Sequence, residues 1–323
     1  MRGILPLIVI AFFSVLAPQA GASTVVVKDK LGRRVEVAVP VKRAVFISLY
    51  EFIPALGLWN RVVGVNRWAF KNTLLQRFEQ LRTIPPVGTG GDINIEAIMA
   101  LEPDLVIVWI YKPQIVKFME KRGLTVIAVY PESLEELYQD VRLCGRLFAE
   151  EQRTEEVLSS MEGIFDVIRS RVSRIPEGKR RKVLWLWGKP TTVNAGIGVQ
   201  HDVIRLIGGI NPAQQIKVKN VDVSLEKIVV WNPDVIFIWG SAKYGPQDLI
   251  KSSQWAAVKA IKEGRVYKAP SWSTWSPRLA LIALWMAQKT YPEIFSDVCV
   301  RCLADGFYRK VFGIPFDPEE SIR

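Results

Sequence analysis

Residues 92–109 read DINIEAIMALEPDLVIVW, and residues 222–239 read DVSLEKIVVWNPDVIFIW. The copies lie 130 positions apart and agree at six of 18 positions: Asp92/Asp222, Glu96/Glu226, Ile98/Ile228, Pro103/Pro233, Asp104/Asp234 and Trp109/Trp239. One duplication without a third copy predicts two similar lobes, not a solenoid. In each copy a side-chain oxygen, from Asn94 or Ser224, can cap a short helix by accepting a backbone N–H. Ile95, Ile98 and Met99, or Leu225, Ile228 and Val229, then recur at helical spacing. Pro103 and Pro233 stop the helix, because proline offers no N–H and restricts its predecessor. The runs that follow, 105–109 and 235–239, are apolar without alternation, the pattern of a parallel strand covered by helices on both faces.

Similar strand-like runs surround the copies, at 43–48, 62–65 and 125–129 in the first half and at 182–187 and 265–269 in the second. Helical segments alternate with them, which gives the α/β class. Between the halves, Val157, Met161, Ile164, Ile168 and Val172 recur at steps of four, three, four and four. That spacing predicts a helix over 148–173, roughly 39 Å long at 1.5 Å per residue. The breaker cluster Ile175-Pro176-Glu177-Gly178 ends it. The expected architecture is α/β, with two Rossmann-like lobes built on parallel sheets and joined by one long α-helix. The divisions fall at 23–147 for the N-terminal lobe, 148–178 for the linker helix and 179–323 for the C-terminal lobe.

Segment 1–22 has a different character. Arg2, the apolar run 4–16 and Ala20-Gly21-Ala22 before Ser23 have the form of a cleavable signal peptide. The run is too short to span a bilayer comfortably, and no cysteine follows the cleavage site, so an exported, periplasmic protein without a lipid anchor is expected. The 323 residues carry 43 Lys and Arg against 32 Asp and Glu, a net charge of +11. Both signs are scattered and no long basic arm occurs, so no nucleic-acid partner is expected. One histidine, His201, and three cysteines, Cys144, Cys299 and Cys302, exclude zinc fingers, histidine cages and Cys-ligated clusters as the main chemistry. Cys299-Val300-Arg301-Cys302 has redox-pair spacing but lacks the βαβ start such motifs usually occupy. A Ser-His-Asp enzyme would have to use His201, and no Gly-x-Ser-x-Gly elbow is present.

An ordered set of motifs spans nearly the whole chain: Ser48-Leu49-Tyr50-Glu51, Ala55-Leu56-Gly57, Arg61-Val62-Val63-Gly64-Val65, both repeat copies, Gly264-Arg265-Val266-Tyr267 and Trp275-Ser276-Pro277-Arg278. With the export segment, twin lobes and helical linker, it resembles the periplasmic substrate-binding proteins of ABC importers. The branch is the one that serves iron–siderophores, haem, cobalamin and, in some members, molybdate. The resemblance covers about 24–313. It implies a monomeric, non-enzymatic receptor with no cofactor, whose ligand is a chelate of iron, cobalt or molybdenum. The partner it implies is an inner-membrane permease dimer with its cytoplasmic ATPase. By motif, Glu96 and Glu226 become the permease-docking acids, and a two-fold symmetric permease would suit such a matched pair. An acid in the first turn of a helix also suits the macrodipole by itself.

In twin-lobed α/β proteins ligands sit beyond the carboxyl ends of the strands. That rule nominates Tyr50, Arg67, Trp68, Trp109, Tyr111 and Lys112 from the first lobe. From the second it nominates Trp187, Asn194, His201, Trp239, Lys243, Tyr244, Trp272, Trp275 and Arg278. Aromatic rings alternate with Lys and Arg in these loops, offering flat faces and planar donors to a bulky, partly anionic chelate. Arg278 is the favoured charged contact and Arg67 the next, while Trp59, Trp231, Trp255 and Trp285 are assigned to packing. No direct metal ligand is expected, although the His201 imidazole could reach iron or cobalt; equally, it could be a polar residue in a helix's first turn. Haem carriers of the family often place a tyrosine where this chain has Asn66-Arg67-Trp68-Ala69-Phe70. The expected order of ligands is Fe(III)–siderophore, then cobalamin or another corrinoid, then a molybdate-type oxyanion or haem. The competing reading is an exported hydrolase built on His201.

Overall fold

The computed structural model describes residues 23–110 and 112–317; the expected signal peptide, 1–22, and Tyr111 lie outside the described residues. An antiparallel hairpin opens the first lobe, β1 (Ser23–Lys28) with β2 (Arg34–Val39). Next come β3 (Ala44–Phe46), α1 (Phe52–Ala55), β4 (Val62–Val65) and a short ladder of β5 (Gly88–Thr89) and β6 (Asp92–Ile93). The lobe continues through α2 (Ile95–Ala100), β7 (Leu105–Trp109), α3 (Pro113–Lys121), β8 (Val126–Val129) and α4 (Leu134–Phe148). The linker is α5 (Glu151–Val172), 22 residues and about 33 Å long. The second lobe holds β9 (Val183–Leu186), β10 (Thr192–Asn194), α6 (Val199–Leu206), β11 (Asn220–Asp222), α7 (Leu225–Trp231) and β12 (Val235–Ile238). It ends with α8 (Pro246–Ile250), α9 (Lys259–Lys262), β13 (Val266–Lys268), α10 (Leu279–Thr290) and α11 (Val300–Phe312).

The first sheet, ordered β4-β3-β7-β8, is parallel throughout. The second, β11-β10-β9-β12-β13, corrects the expectation of a wholly parallel sheet. Its β9, β12 and β13 are parallel, whereas β10 pairs antiparallel with both β9 and β11. The cause is chain length: the short turn after β9 permits a hairpin, and a parallel return needs a crossover of a dozen residues or more. The sequence reading also passed over the β1–β2 hairpin, although 34–39 (RVEVAV) alternates between exposed and buried positions as a half-covered strand does.

The repeat is realised in three dimensions. Asn94 Oδ1 accepts from the Ala97 N–H at 2.9 Å and Ser224 Oγ from the Lys227 N–H at 3.3 Å, so both copies carry the expected cap. The shared aspartates tie each copy to the neighbouring strand. Asp104 Oδ2 accepts from the Lys42 and Arg43 N–H groups at 2.9 Å, and Asp234 Oδ2 from the Lys182 N–H at 2.7 Å.

Alternation along the central strands divides the core. Leu105, Ile107, Val183, Trp185, Val235 and Phe237 face one continuous cluster that includes α5, α10 and α11. Val106 and Val108 face α2 and α3 in a second cluster, while Leu184, Leu186, Ile236 and Ile238 belong to a third. The lobes therefore share an interior, and the linker helix is its central member. Val157, Met161, Ile164, Ile168 and Val172 are all buried, as their spacing predicts. Cys299 and Cys302 form a disulfide across the first turn of α11, and Cys144 is a buried thiol.

Candidate ligand site between the lobes

The carboxyl ends of β4, β7, β8 and β13 bring four rings into sequence. Trp68 meets Trp109 edge to face at 6.0 Å, Trp109 meets Trp275 at 5.8 Å, and Trp275 meets Tyr130 at 4.9 Å. Trp275 belongs to the second lobe and the others to the first, so this chain of rings crosses between them. Local chemistry positions each member. Asn66 is buried: its Nδ2 donates to the Ile47 carbonyl at 2.7 Å and its Oδ1 accepts from the Trp68 N–H at 2.9 Å. That anchor leaves Arg67 exposed and Trp68 at 47% exposure. Trp109 lies flush on the backbone of Gly90, where a Cβ would fall 1.3 Å from the indole Nε1. Sequence reasoning missed Tyr130, which directly follows β8 and obeys the same strand-end rule as its neighbours. It also missed Lys219, whose Nζ sits 3.1 Å from the Tyr130 ring centre and 2.9 Å from Glu132 Oε1. Burial, with Lys30 adding to it, brings the Lys219 ammonium down to about 8.

A second aromatic group stands at the ends of β9 and β12. Trp187 packs against Trp239 at 5.7 Å and against Trp185 at 6.0 Å. The Tyr244 hydroxyl donates to the Trp187 carbonyl at 2.7 Å, and burial pushes that phenol up. Lys112 and Lys243 are exposed in the adjoining loops.

Several nominated residues are placed elsewhere. Arg278 is 0% exposed and corrects the expectation of a free cleft cation. Its Nε and Nη2 donate to Glu51 Oε2 at 2.9 Å and Oε1 at 2.7 Å, and its guanidinium lies 4.7 Å from the Trp272 ring centre. That guanidinium holds the Glu51 carboxyl below the usual carboxylate range against the opposing effect of burial. Trp272, 5% exposed, is likewise a buried ring and not a cleft face. Tyr50 packs against the shared core, and burial pushes its phenol up. Asn194 is buried and braces its own lobe, donating to the Lys219 carbonyl at 2.9 Å.

His201 is 9% exposed, and its Nδ1 lies 3.3 Å from Asn211 Nδ2. An amide can only donate there, so Nδ1 accepts and the proton of the neutral ring sits on Nε2. Desolvation lowers the imidazole below its ordinary value. An amide, not a carboxylate, thus holds Nδ1, and burial outweighs the nearby Asp202 charge. Glu96 and Glu226 are both exposed at equivalent positions in the first turns of α2 and α7. A cavity of about 640 Å³ lined by Leu134, Arg169, Arg180, Asp202 and Arg205 shares no residue with the aromatic loops.

Two α/β lobes on a common helical core, presenting aromatic loops to one another at their strand ends, define a two-lobed solute-binding protein. The chain belongs to the periplasmic binding protein family, whose model matches residues 45–272, and it is of the kind that serves ABC importers as substrate-binding protein. It is similar to the Helicobacter pylori CeuE structure with Ni(II) bound, with a TM-score of 0.81 and 28% identity over 92% of this chain and 98% of that one. It is also 22% identical to the molybdate-binding protein MolA of Haemophilus influenzae, over 92% of this chain and 93% of that protein. A third relative is the iron(3+)-hydroxamate-binding protein FhuD of Bacillus subtilis, 26% identical over 77% of this chain and 79% of its own. Among the described residues no helix is long and apolar enough to cross a membrane.

Proposed function

We propose that this protein captures a metal chelate between its lobes, with an Fe(III)–siderophore first in order, and hands it to the permease of an ABC importer. The observation that carries this reading is the run of rings Trp68, Trp109, Trp275 and Tyr130 across the two lobes. Broad aromatic faces suit the organic shell of a chelate, and exposed Arg67, Lys112 and Lys243 suit its anionic oxygens. The names of relatives support the class: iron(3+)-hydroxamate, vitamin B12 and molybdate are each bound by a protein similar to this one. A corrinoid is the second reading, molybdate-type oxyanion or haem the third. In this account 1–22 directs export and is removed before Ser23. Lobes 23–147 and 179–323 flank the linker 148–178, and the monomer docks through Glu96 and Glu226.

Two measurements test the reading. The first is mass spectrometry with metal analysis on protein purified from its native periplasm. The second is titration of the metal-free mature chain with ferric hydroxamate siderophore, cyanocobalamin, molybdate and Ni(II)–histidine, followed by tryptophan fluorescence. Saturable quenching by one chelate is the expected result. A co-purifying sugar or peptide, with no response to any of the four probes, would overturn the proposal.

A further inference from the structure

We propose that Glu51 is a positioning residue of the ligand site: from the first lobe its buried carboxylate fixes the Trp275 loop of the second, and with it the spacing at which the two lobes present their rings. The inference rests on reading that gap as the place where ligand binds. One carboxylate serves both parts of the loop. Oε2 and Oε1 accept from the Arg278 guanidinium, and Oε1 also accepts from the Ser273 N–H at 3.2 Å. Asn72 closes the grip from the first lobe, donating to Glu51 Oε1 at 2.6 Å and accepting from Arg278 Nη2 at 3.2 Å.

Ser273 then sets Trp275. Its Oγ accepts from the Trp275 N–H at 3.1 Å, and its carbonyl accepts from Ser276 Oγ at 2.9 Å. The second lobe holds the same loop from its own side, through Ser271 Oγ on the Gly240 carbonyl and Gln200 Nε2 on Thr274 Oγ1. Neither lobe alone determines where Trp275 stands against Trp109 and Tyr130. A fully buried ion pair adds little net stability over apolar groups of the same shape, yet it tolerates one geometry only. Glu51 and Arg278, at 1% and 0% exposure, meet that description.

The test pairs Glu51→Leu with Arg278→Met, which removes both charges together and strands neither. Glu51→Gln is the isosteric companion, should the double variant fail to fold. Nitroxide labels at Lys117→Cys and Lys251→Cys, both exposed and one in each lobe, report the inter-lobe distance. The native cysteines are buried or disulfide-bonded and stay unlabelled. The wild-type background is expected to give one narrow distance distribution. Folded Glu51 variants are expected to give a broadened one and to lose the near-ultraviolet dichroism assigned to Trp275 by Trp275→Phe. Affinity for whichever of ferric hydroxamate, cyanocobalamin or molybdate binds wild type should fall about 10- to 100-fold, the loss common when a supporting contact behind a binding site is removed. A folded variant with the wild-type distance distribution and Trp275 signal would overturn the proposal. The label readout needs no ligand, so failure of every probe to bind counts against the chelate reading and not against this one.

Discussion

Gly90 shows how closely one residue can govern the site. Trp109 carries the middle of the aromatic run, and its indole occupies the space where any side chain at 90 would begin. Gly90→Ala should therefore rotate Trp109 out of contact with Trp68 and Trp275. The expected outcome is a changed near-ultraviolet dichroism spectrum and about tenfold weaker chelate binding, with the unfolding midpoint little altered. An unchanged spectrum would show that the ring has other room. The tryptophans of the run were legible, because they lie at or beyond the ends of apolar strands, whereas Tyr130 was missed. The role of Arg278 was not. Its place after the last strand suggested a free cation, and its partner, Glu51, lies 227 positions earlier in the chain. A charge found in a loop is read as exposed until a buried counter-charge is known, and that knowledge is tertiary.

At the scale of elements, the helices differ in how much their own sequence explains. The α5 spacing alone buried the correct face, and one internal position departs from helical preference. Gly163 is exposed, and a Cβ there would meet nothing within 4 Å. Gly163→Ala is expected to raise stability by about 0.5–1 kcal/mol in chemical denaturation, the backbone entropy that glycine loses in a helix. A fall in midpoint would mean that this turn must bend.

The α4 helix carries a different device. Burial, reinforced by Glu136, pushes the Asp140 carboxyl up from 3.8 to about 7. Between those values the unfolded chain releases a proton that the folded chain retains, so this group makes stability fall as pH rises from about 4 to 7. Asp140→Asn should flatten that part of the pH profile and raise the urea midpoint at pH 8 relative to wild type. A profile that keeps its slope after the substitution would refute the assignment.

The whole molecule is braced by more than its linker. The inner faces of both sheets contribute to one core with α5, α10 and α11, and the Glu51–Arg278 pair crosses between the lobes. Large hinge closure would have to open that interior. Solution scattering on adding a saturating chelate should accordingly show only a slight change in radius of gyration; a large fall would contradict the shared core. The proposed docking is also tested at this scale. Glu96→Ala with Glu226→Ala is expected to abolish uptake by cells while leaving chelate affinity unchanged, since both acids are exposed in the first turns of their short helices. Undiminished uptake would remove the two acids from the docking surface.

By itself the sequence determined the duplication, the α/β class, the central strands of both sheets and the linker helix. The duplication shows on comparing two stretches of the chain, and the rest follow from local periodicity, capping and proline placement, which act within a few residues. The antiparallel edge of the second sheet, the burial of Arg278, Trp272 and Asn194, and the tie of His201 to Asn211 were decided only in the folded molecule. Those features depend on which distant groups share a volume from which water is excluded. There a charge or amide must find a partner, and that partner's identity is set by packing between segments that one-dimensional spacing does not relate.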